Sequence, residues 1–224
     1  MIKYAFFDVD NTLIDFQESA KLAMPRLFEK MGYPYNDEVP KIYHKIGDPL
    51  WAAVERKEIT GKYLRSVRWG LICKELGFEC DSIAMEAEYA EQLSNYAVLI
   101  DGADDLLKYL KEKGYTVVIA SNSYKDQQIR RTKLCGISRY IDAYFTSMDI
   151  GFEKPRIEFF NACFEGLGNP SKDEVIMIGD SLAADVAGGK EAGIKTIWFD
   201  KFKSYAENDA DYCVTSLRDI MKIL

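Results

Sequence analysis

Histidine and cysteine are scarce in this 224-residue chain, which contains one histidine and five cysteines. The cysteines are odd in number, scattered and without a C-x-x-C pair, so we expect reduced thiols rather than a disulfide framework or a zinc site. No apolar run approaches the length of a membrane span, and the amino terminus lacks the apolar stretch and cleavage site of a signal peptide. These absences predict a cytoplasmic protein that contacts no membrane.

An excess of basic residues is also missing. The chain has 29 Lys and Arg against 36 Asp and Glu, a net charge of -7. This balance argues against nucleic-acid binding, although it leaves room for a small anionic substrate at a local cationic site. With 48% hydrophobic residues and no internal repeat or low-complexity tract, the chain can bury a substantial core.

Short apolar runs alternate with helical patterns over much of the sequence. Several runs are almost continuously apolar, which is typical of parallel strands covered on both faces. The pattern predicts a doubly wound α/β domain with a parallel sheet. The expected strands cover 2–9, 116–121, 143–147, 175–179, 195–199 and 211–214, and the expected helices 103–113, 124–135, 156–167, 183–192 and 216–223.

The segment 16–97 interrupts this alternation, because it contains no convincing strand. One helical pattern stops at Gly32, a second begins after a capping Thr60 and stops at Gly77, and a third covers about 82–95. We therefore expect an all-helical module at 16–97, inserted into a core formed by 1–15 and 98–224.

Carboxylates follow two of the expected strands. Asp8 and Asp10 end the first strand and point the same way, since residues two apart in an extended chain share a face. Asp180 ends the strand at 175–179, and Asp185 lies in the first turn of the next helix. An Asx turn or helix capping would explain some of these acids. Acids at two strand ends otherwise suggest a divalent cation bound by oxygen atoms, most simply Mg²⁺.

Groups suited to an anion follow two other strands. Ser121 and Asn122 end the strand at 116–121 and precede a helix, where hydroxyl, amide and backbone N–H groups can bind a phosphate. Lys154 lies before Pro155, just after the strand at 143–147. A plain turn and a solvated surface lysine are the alternatives. Because ligands of open α/β sheets bind beyond the carboxyl ends of the strands, we expect one site that combines these groups with the acids.

The ordered set of these residues resembles the haloacid dehalogenase superfamily of aspartyl-phosphate phosphatases. Its pattern is D-x-D-x-T, a Ser or Thr at a strand end, a Lys, and G-D followed by a further Asp. The corresponding residues here are Asp8, Asp10, Thr12, Ser121, Lys154, Gly179, Asp180 and Asp185. The resemblance implies a Rossmann-like core, and the insertion after the first motif matches the subfamily with a small helical cap.

The resemblance also implies roles for these residues. Asp8 would be the nucleophile, Asp10 the general acid–base, and Lys154 would bind the phosphoryl group and stabilise charge in the transition state. Substrate binding is assigned to Thr12, Ser121, Asn122 and Lys154, with Thr12 also steadying Asp10. Mg²⁺ would be held by Asp8, the main-chain carbonyl of Asp10 and Asp180, with Asp185 in a supporting position.

The expected substrate is a small phosphorylated metabolite. The segment 48–69 and the opening FFDVDNTLIDF resemble bacterial 5′-nucleotidases that act on pyrimidine nucleoside monophosphates, including noncanonical ones. The alternatives are a sugar-phosphate or phosphoglycolate phosphatase, a phosphosugar mutase, a phospho-accepting signalling module, and a scaffold without turnover. We assign no catalytic role to His44, and a monomer is the default expectation.

Overall fold

The structure is a computed structural model that describes all residues 1–224. The chain divides into two compact units. The first, here called the core unit, contains Met1–Phe16 and Val98–Leu224. The second, here called the inserted unit, contains Gln17–Ala97.

The core unit contains a six-stranded sheet in which every neighbouring pair of strands is parallel. The strands are β1 (Tyr4–Phe7), β2 (Ile14–Asp15), β3 (Val98–Leu99), β4 (Thr116–Ser121), β5 (Ala143–Thr146), β6 (Val175–Gly179), β7 (Lys195–Phe199) and β8 (Tyr212–Val214). The order in the six-stranded sheet is β5-β4-β1-β6-β7-β8, so β1 lies between β4 and β6. The two-residue strands β2 and β3 form a separate antiparallel pair.

Helices connect the parallel strands and cover both sides of the sheet. Alternate strand residues point to opposite faces, and on one face Phe6, Val118 and Met177 form a buried cluster with Phe159 and Phe160. The helices of the core unit are α5 (Ala103–Glu112), α6 (Lys125–Leu134), α7 (Ser147–Ile150), α8 (Ile157–Gly166), α9 (Gly188–Ala192) and α10 (Leu217–Ile220). The predicted fold class, a doubly wound parallel sheet with an inserted helical segment, is confirmed.

The inserted unit contains helices and no strands. Its helices are α1 (Phe16–Met31, which begins at the last residue of the core unit's first segment), α2 (Glu38–Glu55), α3 (Gly61–Glu75) and α4 (Ser82–Leu93). Thr60 caps α3 as predicted, since its side chain accepts a hydrogen bond from the backbone N–H of Tyr63. His44 is partly exposed and pairs with Asp48 on the same helix, at 3.2 Å.

Charged side chains lie inside the inserted unit. The Arg68 guanidinium donates to Glu86 at 2.6 Å and to the Tyr43 hydroxyl at 2.9 Å. A second buried arginine, Arg65, lies 3.9 Å from the same Glu86 carboxylate. The Glu86 carboxylate is therefore an ion-pair partner of two buried guanidinium groups. Because a buried charge is destabilising once its partner is removed, loss of Glu86 should lower the stability of this unit.

Several elements differ from the sequence prediction, and one of them is α7, which begins at Ser147, the last residue of an expected strand. Helix α2 was not predicted, because Gly47 and Pro49 interrupt its pattern. The predicted helix at 183–192 begins with a π-helical segment, Leu182–Ala187, and continues as α9. The pair β2–β3 was missed, since two-residue strands carry no periodic pattern.

All five cysteines are free thiols. No helix combines the length and the apolar character needed to cross a membrane.

Candidate active site

The site lies at the carboxyl ends of three adjacent strands. In the parallel register Phe7 pairs with both Ile119 of β4 and Ile178 of β6, so these strands end at the same edge of the sheet. The Asp8 backbone N–H continues the ladder by donating to the Ile178 carbonyl at 2.9 Å. The segments that begin at Asp8, Asn122 and Asp180 therefore leave the sheet side by side.

Lys154 is the centre of this site. Its side chain is 1% exposed, and its ammonium donates to Asp8 Oδ1 at 2.9 Å and to Asp185 Oδ1 at 2.7 Å. Burial alone would lower the pKa of this ammonium, but Asp185 and Asp8 together raise it above its ordinary value. Lys154 is therefore a buried cation held between two carboxylates, and the alternative of a solvated surface lysine is wrong for this residue.

Asp185 is fixed by two donors. Its Oδ1 accepts from Lys154, and its Oδ2 accepts from the backbone N–H of Ser181 at 3.1 Å. Gly179 makes room for this carboxylate, because a Cβ at position 179 would lie 2.0 Å from Asp185 Oδ2. The glycine at the end of β6 is thus required by close packing.

The acids at Asp8, Asp180 and Asp185 form one cluster. One carboxylate oxygen from each lies within 4.8 Å of the others. Burial raises the pKa of Asp8 to about 7, even though Lys154 acts in the opposite direction, and Asp185 and Asp10 add to the rise. Burial and the charges of Asp8 and Asp185 likewise raise the pKa of Asp180 well above its ordinary value. These carboxylates repel one another unless a further cation is bound.

The charge of this cluster fits a divalent cation. Three carboxylates and the Lys154 ammonium leave a formal charge of -2, and carboxylate oxygens are the ligands that Mg²⁺ prefers. Both oxygens of Asp185 already accept hydrogen bonds, whereas Asp8 and Asp180 have oxygen atoms available. The donor set therefore suits a metal ion held by Asp8 and Asp180, with Asp185 beside it.

Asp10 points to a different set of partners. Arg131 Nη1 donates to Asp10 Oδ1 at 2.5 Å, and Gln128 Nε2 donates to Asp10 Oδ2 at 3.0 Å. Both donors come from α6, and neither was predicted as a site residue. The available signal was the composition of α6, whose buried residues are polar: Gln127, Gln128, Arg131 and Thr132.

The remaining predicted residues support this edge of the sheet. Asn122 forms two hydrogen bonds with the main chain of Lys154, from Nδ2 to the carbonyl at 2.9 Å and from the Lys154 N–H to Oδ1 at 2.8 Å. Ser121 Oγ accepts from Gln128 at 3.1 Å. Thr12 is fully buried, and its hydroxyl lies 3.5 Å from Asp180 Oδ1 rather than against Asp10. The peptide bond between Lys154 and Pro155 is cis.

Comparisons with known proteins place this chain in a family. The family model for haloacid dehalogenase-like hydrolases matches residues 2–193. The HAD-hydrolase YfnB of Bacillus subtilis is 34% identical over 97% of this chain and 93% of its own length. Its crystal structure, described as bound to magnesium, superposes with a TM-score of 0.89 over 100% of this chain and 99% of that chain.

Two further relatives have names that state a substrate class. The pyrimidine 5′-nucleotidase PynA of Streptococcus pneumoniae is 30% identical over 99% of this chain and 94% of its own length. The pyrimidine 5′-nucleotidase YjjG of Escherichia coli is 26% identical over 99% of this chain and 97% of its own length. The predicted family is confirmed: the chain belongs to the haloacid dehalogenase-like hydrolases and is a phosphatase of that family.

Proposed function

We propose that the protein hydrolyses phosphomonoesters through a phosphoryl group carried transiently on Asp8. The observation that carries this proposal is the position of Lys154, whose ammonium joins Asp8 and Asp185 in a buried acidic cluster. A carboxylate needs no base to act as a nucleophile once it is ionised. The buried ammonium beside Asp8 offsets the repulsion between this carboxylate and an incoming phosphate.

In the first step, an Asp8 oxygen attacks phosphorus and the bond from phosphorus to the leaving-group oxygen breaks. Asp10 gives its proton to that oxygen, so that the alcohol departs neutral. Lys154 remains next to the reacting centre and stabilises the charge on the phosphoryl oxygens. Ser121 and the backbone of the segment after β4 bind the phosphate, while Asn122 holds the main chain of Lys154 in place.

In the second step, water attacks the phosphorus atom of the aspartyl-phosphate. Asp10, now a carboxylate, accepts a proton from that water, and the bond from phosphorus to the Asp8 oxygen breaks. The products are inorganic phosphate and the original Asp8 carboxylate. A magnesium ion held by Asp8, Asp180 and the Asp10 carbonyl would supply charge neutralisation of the phosphate.

We propose nucleoside monophosphates with a pyrimidine base as the substrate. The names of PynA and YjjG support this class, because both relatives align with almost the whole chain, including the inserted unit. The segment 48–69, which contains the last eight residues of α2 and the first nine of α3, carries the resemblance to nucleotidases. We propose further that residues 16–97 act as a cap that selects the substrate.

A substrate panel with Mg²⁺ tests the proposed activity. We expect dUMP, dTMP and UMP to be hydrolysed faster than hexose phosphates or phosphoglycolate, and all turnover to cease on addition of a chelator. Faster hydrolysis of the sugar phosphates would reject the nucleotide specificity alone. Turnover that survives chelation would reject the metal-dependent mechanism.

Asp8→Asn tests the nucleophile directly. This variant should lose turnover and phosphoenzyme formation while keeping its melting temperature within a few degrees, because the amide has nearly the shape of the carboxylate. Asp209→Asn, at an exposed loop position, is the matched control and should retain full activity. Substantial activity in Asp8→Asn would exclude Asp8 as the nucleophile.

A further inference from the structure

Two side chains of α6 hold the carboxyl group of Asp10, although neither belongs to the motif set of the family. Arg131 binds one oxygen at 2.5 Å and Gln128 binds the other at 3.0 Å. Arg131 and Gln128 are fully buried, whereas the Asp10 side chain is 29% exposed. A partly exposed carboxyl group is thus held by two buried donors.

These donors are themselves fixed by hydrogen bonds. Gln128 and Arg131 are three residues apart and therefore share one face of α6. Arg131 Nη1 also donates to Gln128 Oε1 at 3.3 Å, and Gln128 Nε2 also donates to Ser121 Oγ at 3.1 Å. Asp10 is thereby connected to Ser121, the residue that ends β4.

We propose that Gln128 and Arg131 are positioning residues that orient Asp10 for proton transfer. The proposal rests on the assignment of Asp10 as the general acid–base. Such a group must lie within hydrogen-bond reach of the leaving-group oxygen and of the attacking water. A free aspartate samples several rotamers, and two fixed donors on its two oxygens restrict both of its side-chain torsions.

The proposal can be tested with two substrates whose leaving groups differ in their need for a proton. Phenyl phosphate and p-nitrophenyl phosphate have nearly the same shape, but p-nitrophenolate departs readily without a proton and phenolate does not. Loss of orientation at Asp10 should therefore lower kcat/KM for phenyl phosphate much more than for p-nitrophenyl phosphate. A purely structural defect would lower both values by the same factor.

The decisive variant is Arg131→Met, measured with both substrates in the presence of Mg²⁺. We expect kcat/KM to fall about 30-fold for phenyl phosphate and less than about threefold for p-nitrophenyl phosphate. Arg131→Lys, which keeps the charge, should recover part of the loss. Arg130→Met makes the same change at the exposed neighbouring position on α6 and should leave both values within about twofold.

Equal losses on the two substrates, or no loss on either, would overturn the proposal. If Arg131→Met does not fold, Gln128→Leu is judged by the same criterion. Asp10→Asn is the reference variant. Its kcat/KM should also fall more for phenyl phosphate than for p-nitrophenyl phosphate, and by a larger factor than in the α6 variants. If Asp10→Asn lacks that selectivity, the proposed role of Asp10 fails; if only the α6 variants lack it, the positioning role fails and the proposed function stands.

Discussion

Lys154 shows how a single residue can connect distant parts of the chain. Its ammonium contacts Asp8, 146 residues away, and Asp185, 31 residues away. The type and approximate place of these residues could be predicted from the sequence, since each follows an apolar strand. The distances between these residues could not be predicted, because the hydrogen bonds depend on the parallel register of β5, β4, β1 and β6.

Replacement of Lys154 by Met should remove most of the catalytic power. The variant keeps much of the side-chain volume but leaves the Asp8 and Asp185 carboxylates without their shared cation. We expect kcat/KM to fall on the order of 100-fold, by analogy with other lost charge-assisted donors at a reacting centre. Steady-state kinetics with p-nitrophenyl phosphate would measure this loss.

Lys190→Met is a suitable control for this variant, because Lys190 is an exposed lysine of the core unit on α9. Its activity should match that of the unmodified protein. A loss below about tenfold in Lys154→Met would contradict the assigned role, since a tenfold loss corresponds to about 1.4 kcal/mol of transition-state stabilisation.

Arg131 and Gln128 illustrate what residue patterns do not reveal. Both residues contact Asp10 although they are far from it in the sequence, Arg131 by 121 residues and Gln128 by 118. An arginine in a polar helix is usually solvated, and nothing in the local sequence distinguishes Arg131 from its exposed neighbour Arg130. The contact becomes visible only when α6 is placed next to the loop that follows β1.

At the scale of elements, the end of β6 is shaped by the absence of a side chain at Gly179. In Gly179→Ala the new Cβ would lie 2.0 Å from Asp185 Oδ2. That carboxylate cannot retreat without losing its bonds to Lys154 and Ser181. We expect a loss of about 1–3 kcal/mol in the free energy of unfolding, together with at least a tenfold loss of activity.

Thermal denaturation and kinetics of Gly179→Ala would measure both effects. Gly47→Ala is the matched control, because the nearest atoms to a Cβ at Gly47 lie 4.0 Å away and alanine favours the interior of α2. The control should be neutral or slightly stabilised. A fully active and stable Gly179→Ala would show that Asp185 does not need its present position.

The strands could be predicted well and α2 could not, for related physical reasons. The central strands β1, β4 and β6 are buried on both faces, so their sequences are almost continuously apolar. Helix α2 contains Gly47 and Pro49, which disfavour a helix locally, and packing within the inserted unit overrides that preference. The π-helical start at Leu182 likewise has no period that a sequence pattern displays.

Helices α3 and α4 of the inserted unit are joined by a buried ion pair, and its removal should be costly. Glu86→Gln keeps the shape of the side chain but leaves Arg68 and Arg65 without the carboxylate they share. We expect the free energy of unfolding to fall by about 3–5 kcal/mol, the range for breaking a buried pair. Urea denaturation would measure the change.

Glu91→Gln provides the comparison for this prediction, since it makes the same substitution at an exposed position of α4. It should change the free energy of unfolding by less than about 0.5 kcal/mol. A similar small change in Glu86→Gln would mean that the buried guanidinium groups find other acceptors.

At the scale of the whole molecule, the reactivity of each cysteine thiol indicates whether the structure around it is folded. Cys163 lies in the buried cluster beneath the sheet, and burial raises the pKa of its thiol to about 12. Cys73 is also buried, whereas Cys213 is exposed. Because the thiolate is the reactive form, Cys163 and Cys73 should resist iodoacetamide at pH 8 while Cys213 reacts.

Peptide mapping by mass spectrometry would follow this labelling, with urea-unfolded protein as the control in which all five thiols react. Rapid modification of Cys163 in the folded protein would contradict the packing of α8 against the sheet. Its slow modification measures the opening of the core unit, because the thiol must be exposed before it can react.

The short antiparallel pair β2–β3 has a consequence for how the chain is assembled. Residues Ile14 and Asp15 lie beside Leu99 and Val98, so the chain departs from the core unit and returns to it at neighbouring points. A tight turn from Asp15 to Val98 would close this gap without disturbing any strand of the parallel sheet. Because both ends of the insertion start from this one pair of strands, a helical segment of another length could replace residues 17–97 without changing the register of the core unit's sheet.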